Sequence, residues 1–148
     1  MDTKAISVVT SSMNREKNLL ENIKCIQKLS NVQEHIIIDW SSKQNISNIV
    51  QNKDIKIFRI NNQAFWWHNK AYNAGFHLAS SEYILKIDAD VLIDYKKFNK
   101  LKYWNYDLIV FYNNPNDPGN FLIKKEVFNK LMGLMNIFGN GDGGKIMI

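Results

Sequence analysis

Residues 83–90 read Tyr83-Ile84-Leu85-Lys86-Ile87-Asp88-Ala89-Asp90. The first five are an apolar run of strand length, and the run stops at two carboxylates two residues apart. Just before it, Trp67, Ala71, Ala74, Gly75 and Leu78 fall on one helical face, with Lys70, Asn73 and His77 on another. A helix therefore feeds a strand that ends in acids. Upstream the same alternation recurs. Ile55-Lys56-Ile57-Phe58-Arg59-Ile60 alternates as a strand, and Ile36-Ile37-Ile38 within 34–39 is the β-branched run of a strand covered on both faces. Ile6-Ser7-Val8-Val9-Thr10 reads as a buried strand followed by a polar turn of Ser11, Ser12 and Asn14.

Between these strands, Leu19, Leu20, Ile23, Ile26 and Leu29 recur at helical spacing, with Asn14 as candidate N-cap and Asn31 closing the element. Ile46, Ile49 and Val50 predict a short helix. Downstream, 107–112 and 120–123 are strand candidates separated by a turn-rich 113–119 that holds both prolines. Val127, Phe128, Leu131, Leu134 and Met135 predict a last helix. This order predicts an α/β three-layer sandwich with a mainly parallel sheet and helices on both faces. In such sheets ligands bind beyond the carboxyl ends of the strands. Thr10 and Ser11 follow the first strand, Asp39 the second, and Asp88 and Asp90 the fourth, so the polar candidates converge on one edge.

A chain of 148 residues with 45% hydrophobic and 22% charged residues supports one domain, 1–148, with its own core. No run of about 18 apolar residues marks a transmembrane helix, and the start at Met1-Asp2-Thr3-Lys4 lacks a signal-peptide stretch. A single Cys25 cannot build a disulfide framework. These features predict a reduced, cytoplasmic protein. The net charge of +5 suits anionic ligands or an acidic membrane surface. No helix-turn-helix or aromatic-sheet signature supports nucleic-acid binding.

Asp88 and Asp90, held close, need a counter-charge, which a divalent cation such as Mg²⁺ or Mn²⁺ supplies; a solvated acidic turn is the plainer alternative. Asp39 can accept hydrogen bonds from a base or ribose, or cap the segment that follows it. Lys70, with Asn73 and His68 beside it, could neutralise a diphosphate, or stand as an ordinary exposed lysine. Phe65-Trp66-Trp67 reads as core, and His35 and His77 as structural. The P-loop, the dinucleotide fingerprint and the Gly-x-Ser-x-Gly elbow are all missing from the sequence.

Taken in order, several of these pieces resemble the family 2 glycosyltransferases of GT-A fold. They are Ile6 to Thr10 with Asn14-Arg15-Glu16-Lys17-Asn18-Leu19, then Ile36-Ile37-Ile38-Asp39-Trp40-Ser41-Ser42, then Lys70-Ala71-Tyr72-Asn73-Ala74-Gly75 through Asp88-Ala89-Asp90. Gly119-Asn120-Phe121-Leu122-Ile123-Lys124 resembles the later strand before the acceptor side. The resemblance implies a sugar transfer from a nucleotide-sugar donor, UDP-linked, to a hydroxyl of a saccharide or lipid-linked acceptor, with inversion, as in polysaccharide biosynthesis. It implies that Thr10 and Ser11 line the base, Asp39 binds it, Asp88 lies near the ribose or sugar, and Asp90 with Asp88 holds Mn²⁺ or Mg²⁺. Where the family often has Arg or Leu, Tyr72 stands, so the phosphate contact passes to Lys70. The family's base is an acid in a later motif, and Asp142 in Gly139-Asn140-Gly141-Asp142-Gly143-Gly144 is the only acid near that place. The expectation is thus a donor half over 1–95 and a shortened acceptor half over 96–148, peripheral at most at the inner face of a membrane. The alternative is a remnant that binds nucleotide sugars without a competent base.

Overall fold

The computed structural model of the chain describes residues 4–112 and 119–131. Strands and helices alternate as β1 (Ile6–Ser12), α1 (Glu16–Ile26), β2 (Val32–Trp40), β3 (Ile55–Ile60), α2 (His68–Leu78) and β4 (Tyr83–Lys86). There follow a single turn of helix, α3 (Tyr95–Phe98), the strands β5 (Leu108–Phe111) and β6 (Asn120–Lys124), and α4 (Lys125–Lys130). The expected helix around Ile46 is one 3₁₀ turn, Ile46–Asn48, capped by the Asn45 side chain.

The described strands form one sheet in the order β3-β2-β1-β4-β6-β5. β1 pairs in parallel with β2 and β4, and β2 with β3; β6 runs antiparallel to both β4 and β5. The sheet is mixed and mostly parallel, as the alternating helices require. Its strand order reverses between β1 and β4, where the chain turns from building leftwards to building rightwards.

Strand alternation sends side chains to two cores. Val9, Ile36, Ile38, Ile84, Phe121 and Ile123 pack with Tyr72 and Phe76 of α2 and Phe128 of α4. On the other face Val8, Leu85 and Leu122 pack with Ile26, Phe98 and Tyr103, while Ile37 joins Leu19 and Ile23 of α1. The buried stripe of α2 is Ala71, Tyr72, Gly75 and Phe76, so the expected face is rotated and Trp67 and Leu78 are exposed. The large Tyr72 and Phe76 rings claim the interface because they remove the most apolar surface from water. Gly75 lets α2 approach the sheet: a Cβ there would lie 2.4 Å from Val9 Cγ1 and 3.3 Å from Ile38 Cγ1.

Asn14 does not cap α1. It sits at φ 57°, the left-handed region that asparagine tolerates. Its Oδ1 accepts from the Lys43 amide at 2.8 Å and its own amide donates to Ser42 Oγ at 3.1 Å, tying the β1–α1 turn to the loop after β2. Among the described residues no helix is long and apolar enough to cross a membrane.

Candidate functional site

The crevice opens where β1 and β4 part company, at the carboxyl ends of the parallel strands. Three chain segments line a cleft of about 490 Å³. Ser11, Met13, Asn14 and Arg15 come from the β1–α1 turn; Trp66 and His68 from the start of α2; Asp88, Ala89 and Asp90 from the end of β4.

Asp88 is the best-held group. Its Oδ1 accepts from Lys86 Nζ at 2.7 Å and from the Tyr72 hydroxyl at 2.8 Å, and His68 Nε2 stands 3.7 Å away. Burial pushes this carboxyl up, but the His68, Lys86 and Tyr72 contacts outweigh it and hold Asp88 down at about 2. It is therefore a carboxylate at neutral pH. These contacts all fall on Oδ1. Lys86 is itself buried, lies 4.5 Å from the Tyr72 ring centroid and donates to the Gly119 carbonyl. Burial and the Asp88 charge push the Tyr72 phenol well above its ordinary value, so it stays a hydrogen-bond donor.

The backbone at Asp88 is fixed from both sides. Its amide donates to Asn120 Oδ1 at 2.7 Å, and Asn22 Nδ2 donates to the Asp88 and Val91 carbonyls at 3.2 and 2.6 Å. The Val91 amide closes a turn onto the Asp88 carbonyl at 3.1 Å. The two acids thus do not continue the extended strand. Asp88 is tucked against Lys86, while Asp90 is exposed on the turn and receives no hydrogen bond from a described residue.

The other candidates separate. Ser11 lines the cleft with its Oγ donating to the Ile38 carbonyl at 3.2 Å. Thr10 is fully buried, and its Oγ1 pairs with His35 Nε2 at 3.0 Å, inside the sheet. Asp39 is also fully buried. Its Oδ1 accepts from the Ser42 amide at 3.0 Å, and its Oδ2 from the Ile46 amide at 3.2 Å and Arg59 Nη1 at 2.5 Å. Lys70 is exposed on α2 with Nζ 4.1 Å from the Trp67 ring centroid, and Asn73 is half-buried on the same helix. Among the described residues no cluster of three His, Cys, Asp or Glu side chains could hold a metal. Asp142 lies outside the described residues.

The sequence set His68 beside Lys70 near the ligand edge but gave Arg15 no role; the fold brings both to the same cleft as Asp88 and Asp90. Their signal was position, directly after β1 and at the first turn of α2. Asn22 and Asn120 carried no such signal, since they reach Asp88 over 66 and 32 residues of chain. Phe65, Trp66 and Trp67 are not core: they are 74%, 42% and 51% exposed.

A mostly parallel sheet with acids beyond β4, at the reversal of strand order, defines the class of GT-A nucleotide-sugar transferase folds. The chain belongs to that class by sequence as well: the model of Glycosyl transferase family 2 matches residues 7–104, so this is a family 2 glycosyltransferase chain. No curated protein matches it. Among solved structures it is similar to mannosyltransferase PcManGT from Pyrobaculum calidifontis in complex with GDP-Man and Mn²⁺, with a TM-score of 0.71 at 14% identity, over 90% of this chain and 48% of that one. It is similar to S. aureus TarS 1–349 in complex with UDP, with a TM-score of 0.72 at 14% identity, over 93% and 52%. The complex of TarS 1–349 with UDP-GlcNAc gives 0.69 at 16% identity, over 85% and 47%. The chain spans about half the length of these structures.

Proposed function

We propose that the cleft binds a nucleotide-sugar donor, UDP-linked, and that the chain serves transfer of its sugar to a hydroxyl acceptor with inversion. The observation that carries this reading is the meeting of Arg15, His68, Asp88 and Asp90 in one cleft at the switch point of a family 2 domain. Arg15 is a cation suited to bidentate contact with a diphosphate. Asp88, ionised and oriented by Lys86 and Tyr72, offers Oδ2 to a ribose or sugar hydroxyl. Ser11 lines the β1 side, where the base would lie. Lys70 and Asn73 stand further along α2 outside the cleft lining, with Lys70 over the Trp67 ring.

Asp90 suits a hard divalent cation. It is an exposed carboxylate beside a diphosphate-sized cleft, and Mg²⁺ or Mn²⁺ is commonly held by one or two carboxylates with substrate phosphates and water. Asp88 suits it less, since Lys86 already neutralises its charge. When bound, such an ion supplies Lewis-acid stabilisation of the leaving diphosphate. In this reading Asp39 acts indirectly. Its carboxylate organises the Ser42 and Ile46 amides and Arg59, and so shapes the loop beside the base rather than touching it.

Inversion needs a base on the acceptor side. Asp88, held near 2 and saturated on Oδ1, is a poor base, and Asp90 is assigned to the cation. Asp142 remains the proposed base. The commitment of both described cleft acids also favours the second reading, a donor-binding domain that does not transfer by itself. The test is turnover of UDP-sugars by the purified chain with saccharide and lipid-linked acceptors, beside Asp142→Asn. Transfer lost in Asp142→Asn with donor affinity unchanged supports the enzyme. Donor binding without any turnover supports the second reading.

A further inference from the structure

The loop between β3 and α2 carries consecutive aromatic side chains on the outside of the molecule, Phe65 at 74% exposure and Trp67 at 51%. Trp66 turns into the cleft, whereas Phe65 and Trp67 are not part of its lining. Rings of this size hold a large apolar area in water, which is unfavourable unless something covers it. The loop is also well anchored. Trp40 Nε1 donates to the Phe65 carbonyl at 2.9 Å, the Gln63 amide donates to Ser41 Oγ at 2.9 Å, and Lys70 Nζ stands over Trp67. The rings are held outward by a stitched rim.

The same rim is basic. Asn14, on the cleft lining, binds the Lys43 amide and so brings exposed Lys43 beside exposed Arg15, while Lys70 lies over Trp67. Asp90 and Glu16 are the nearby acids without an ion-pair partner among the described residues, since Asp88 is paired with Lys86. We propose that this rim is a membrane-docking surface: Phe65 and Trp67 enter the interfacial zone of an anionic bilayer, and Lys43 and Lys70 meet its headgroups. Exposed aromatics interleaved with long cationic side chains match the apolar boundary and negative surface of such a bilayer. The overall charge of +5 acts in the same direction. A saccharide platform fits less well, because small ligands need concavity and convergent polar groups, and these two rings lie outside the cleft. Docking on this rim would turn the cleft mouth to the lipid surface. That corollary, a lipid-linked acceptor, rests on the proposed function; the docking itself does not.

The test is co-sedimentation of the full chain with vesicles of phosphatidylcholine and phosphatidylglycerol in equal parts, and with phosphatidylcholine alone. Wild type should partition onto the anionic vesicles, with tryptophan emission shifting to the blue and binding falling as salt rises. Phe65→Ser with Trp67→Ser should reduce partitioning by roughly tenfold, with an unchanged thermal midpoint as the folding control. Lys43→Gln with Lys70→Gln should weaken binding and flatten its salt dependence. Absence of binding to anionic vesicles at low salt overturns the proposal, as does equal binding by the aromatic double variant. A wild-type dimer dispersed by that same variant overturns it too, by assigning the rings to a second copy. UDP binding measured alongside separates the two readings: its loss in wild type sinks the donor site and leaves the docking result standing.

Discussion

Asp88 and Asp39 both end parallel strands, yet their surroundings differ. Asp88 lines the cleft. Asp39 has no exposure and is enclosed by two amides and a guanidinium. Asp39→Asn therefore leaves Arg59 facing a neutral amide. Loss of one partner of a buried pair costs about 3–5 kcal/mol; with the Arg59 side chain 26% exposed, about 2–3 kcal/mol is expected here. That should lower Tm by roughly 5–10 °C while leaving Mn²⁺-dependent behaviour intact, as differential scanning fluorimetry would read. A large loss of UDP affinity with unchanged Tm would instead place Asp39 on the base. The acids were legible in the sequence because they terminate apolar runs. Their different surroundings were not, since these depend on Arg59 arriving from β3 and Tyr72 from α2, which sequence spacing does not align with Asp39 and Asp88.

At the scale of elements, α2 links packing to the site, because its buried stripe carries Tyr72 while its first residue, His68, reaches the cleft. Gly75→Ala should push α2 off β1 and β2, since the new methyl would meet Val9 within 2.4 Å. Overpacking of this kind costs about 1–3 kcal/mol. The expected result is a lower Tm together with weaker nucleotide binding, as Tyr72 shifts from Asp88; an unchanged Tm would show that the interface yields freely. The helix–strand alternation itself was readable from periodicity, down to the bounds of β3. The orientation of α2 was not, because Trp67 and Leu78 share spacing with core residues but lose the interface to Tyr72 and Phe76. Phe65 to Trp67 misled for the same reason: apolar character predicts burial only where a partner surface exists.

For the whole molecule, acid sensitivity follows from buried titratable groups both outside the cleft lining and within it. His35 is buried with Nε2 on Thr10 and Nδ1 unpartnered, and burial pushes its pKa down to about 3. The unfolded chain binds this proton near the ordinary histidine value of about 6.5 and the folded chain does not, so stability should fall as pH drops below that value and level off near the folded value. Glu34 is also buried. Burial raises its carboxyl, but Lys56, Ser7 and Ser80 more than offset this and hold it at about 2. Its contribution, like that of Asp88, is present above the unfolded carboxyl pKa and is lost as pH falls toward about 2. Tm should therefore decline already between about pH 6.5 and 4.5, and His35→Gln should flatten that part of the profile; a flat wild-type profile there would mean that His35 protonates within the fold. The central claim, a donor site built on Asp88 and Asp90, is tested most directly by calorimetric titration of UDP into wild type and Asp90→Asn, with and without Mn²⁺. Mn²⁺ should tighten UDP binding to wild type by about tenfold or more, some 1.4 kcal/mol, and Asp90→Asn should bind UDP equally weakly in both conditions. Equal UDP affinity for both proteins at every Mn²⁺ concentration would contradict it.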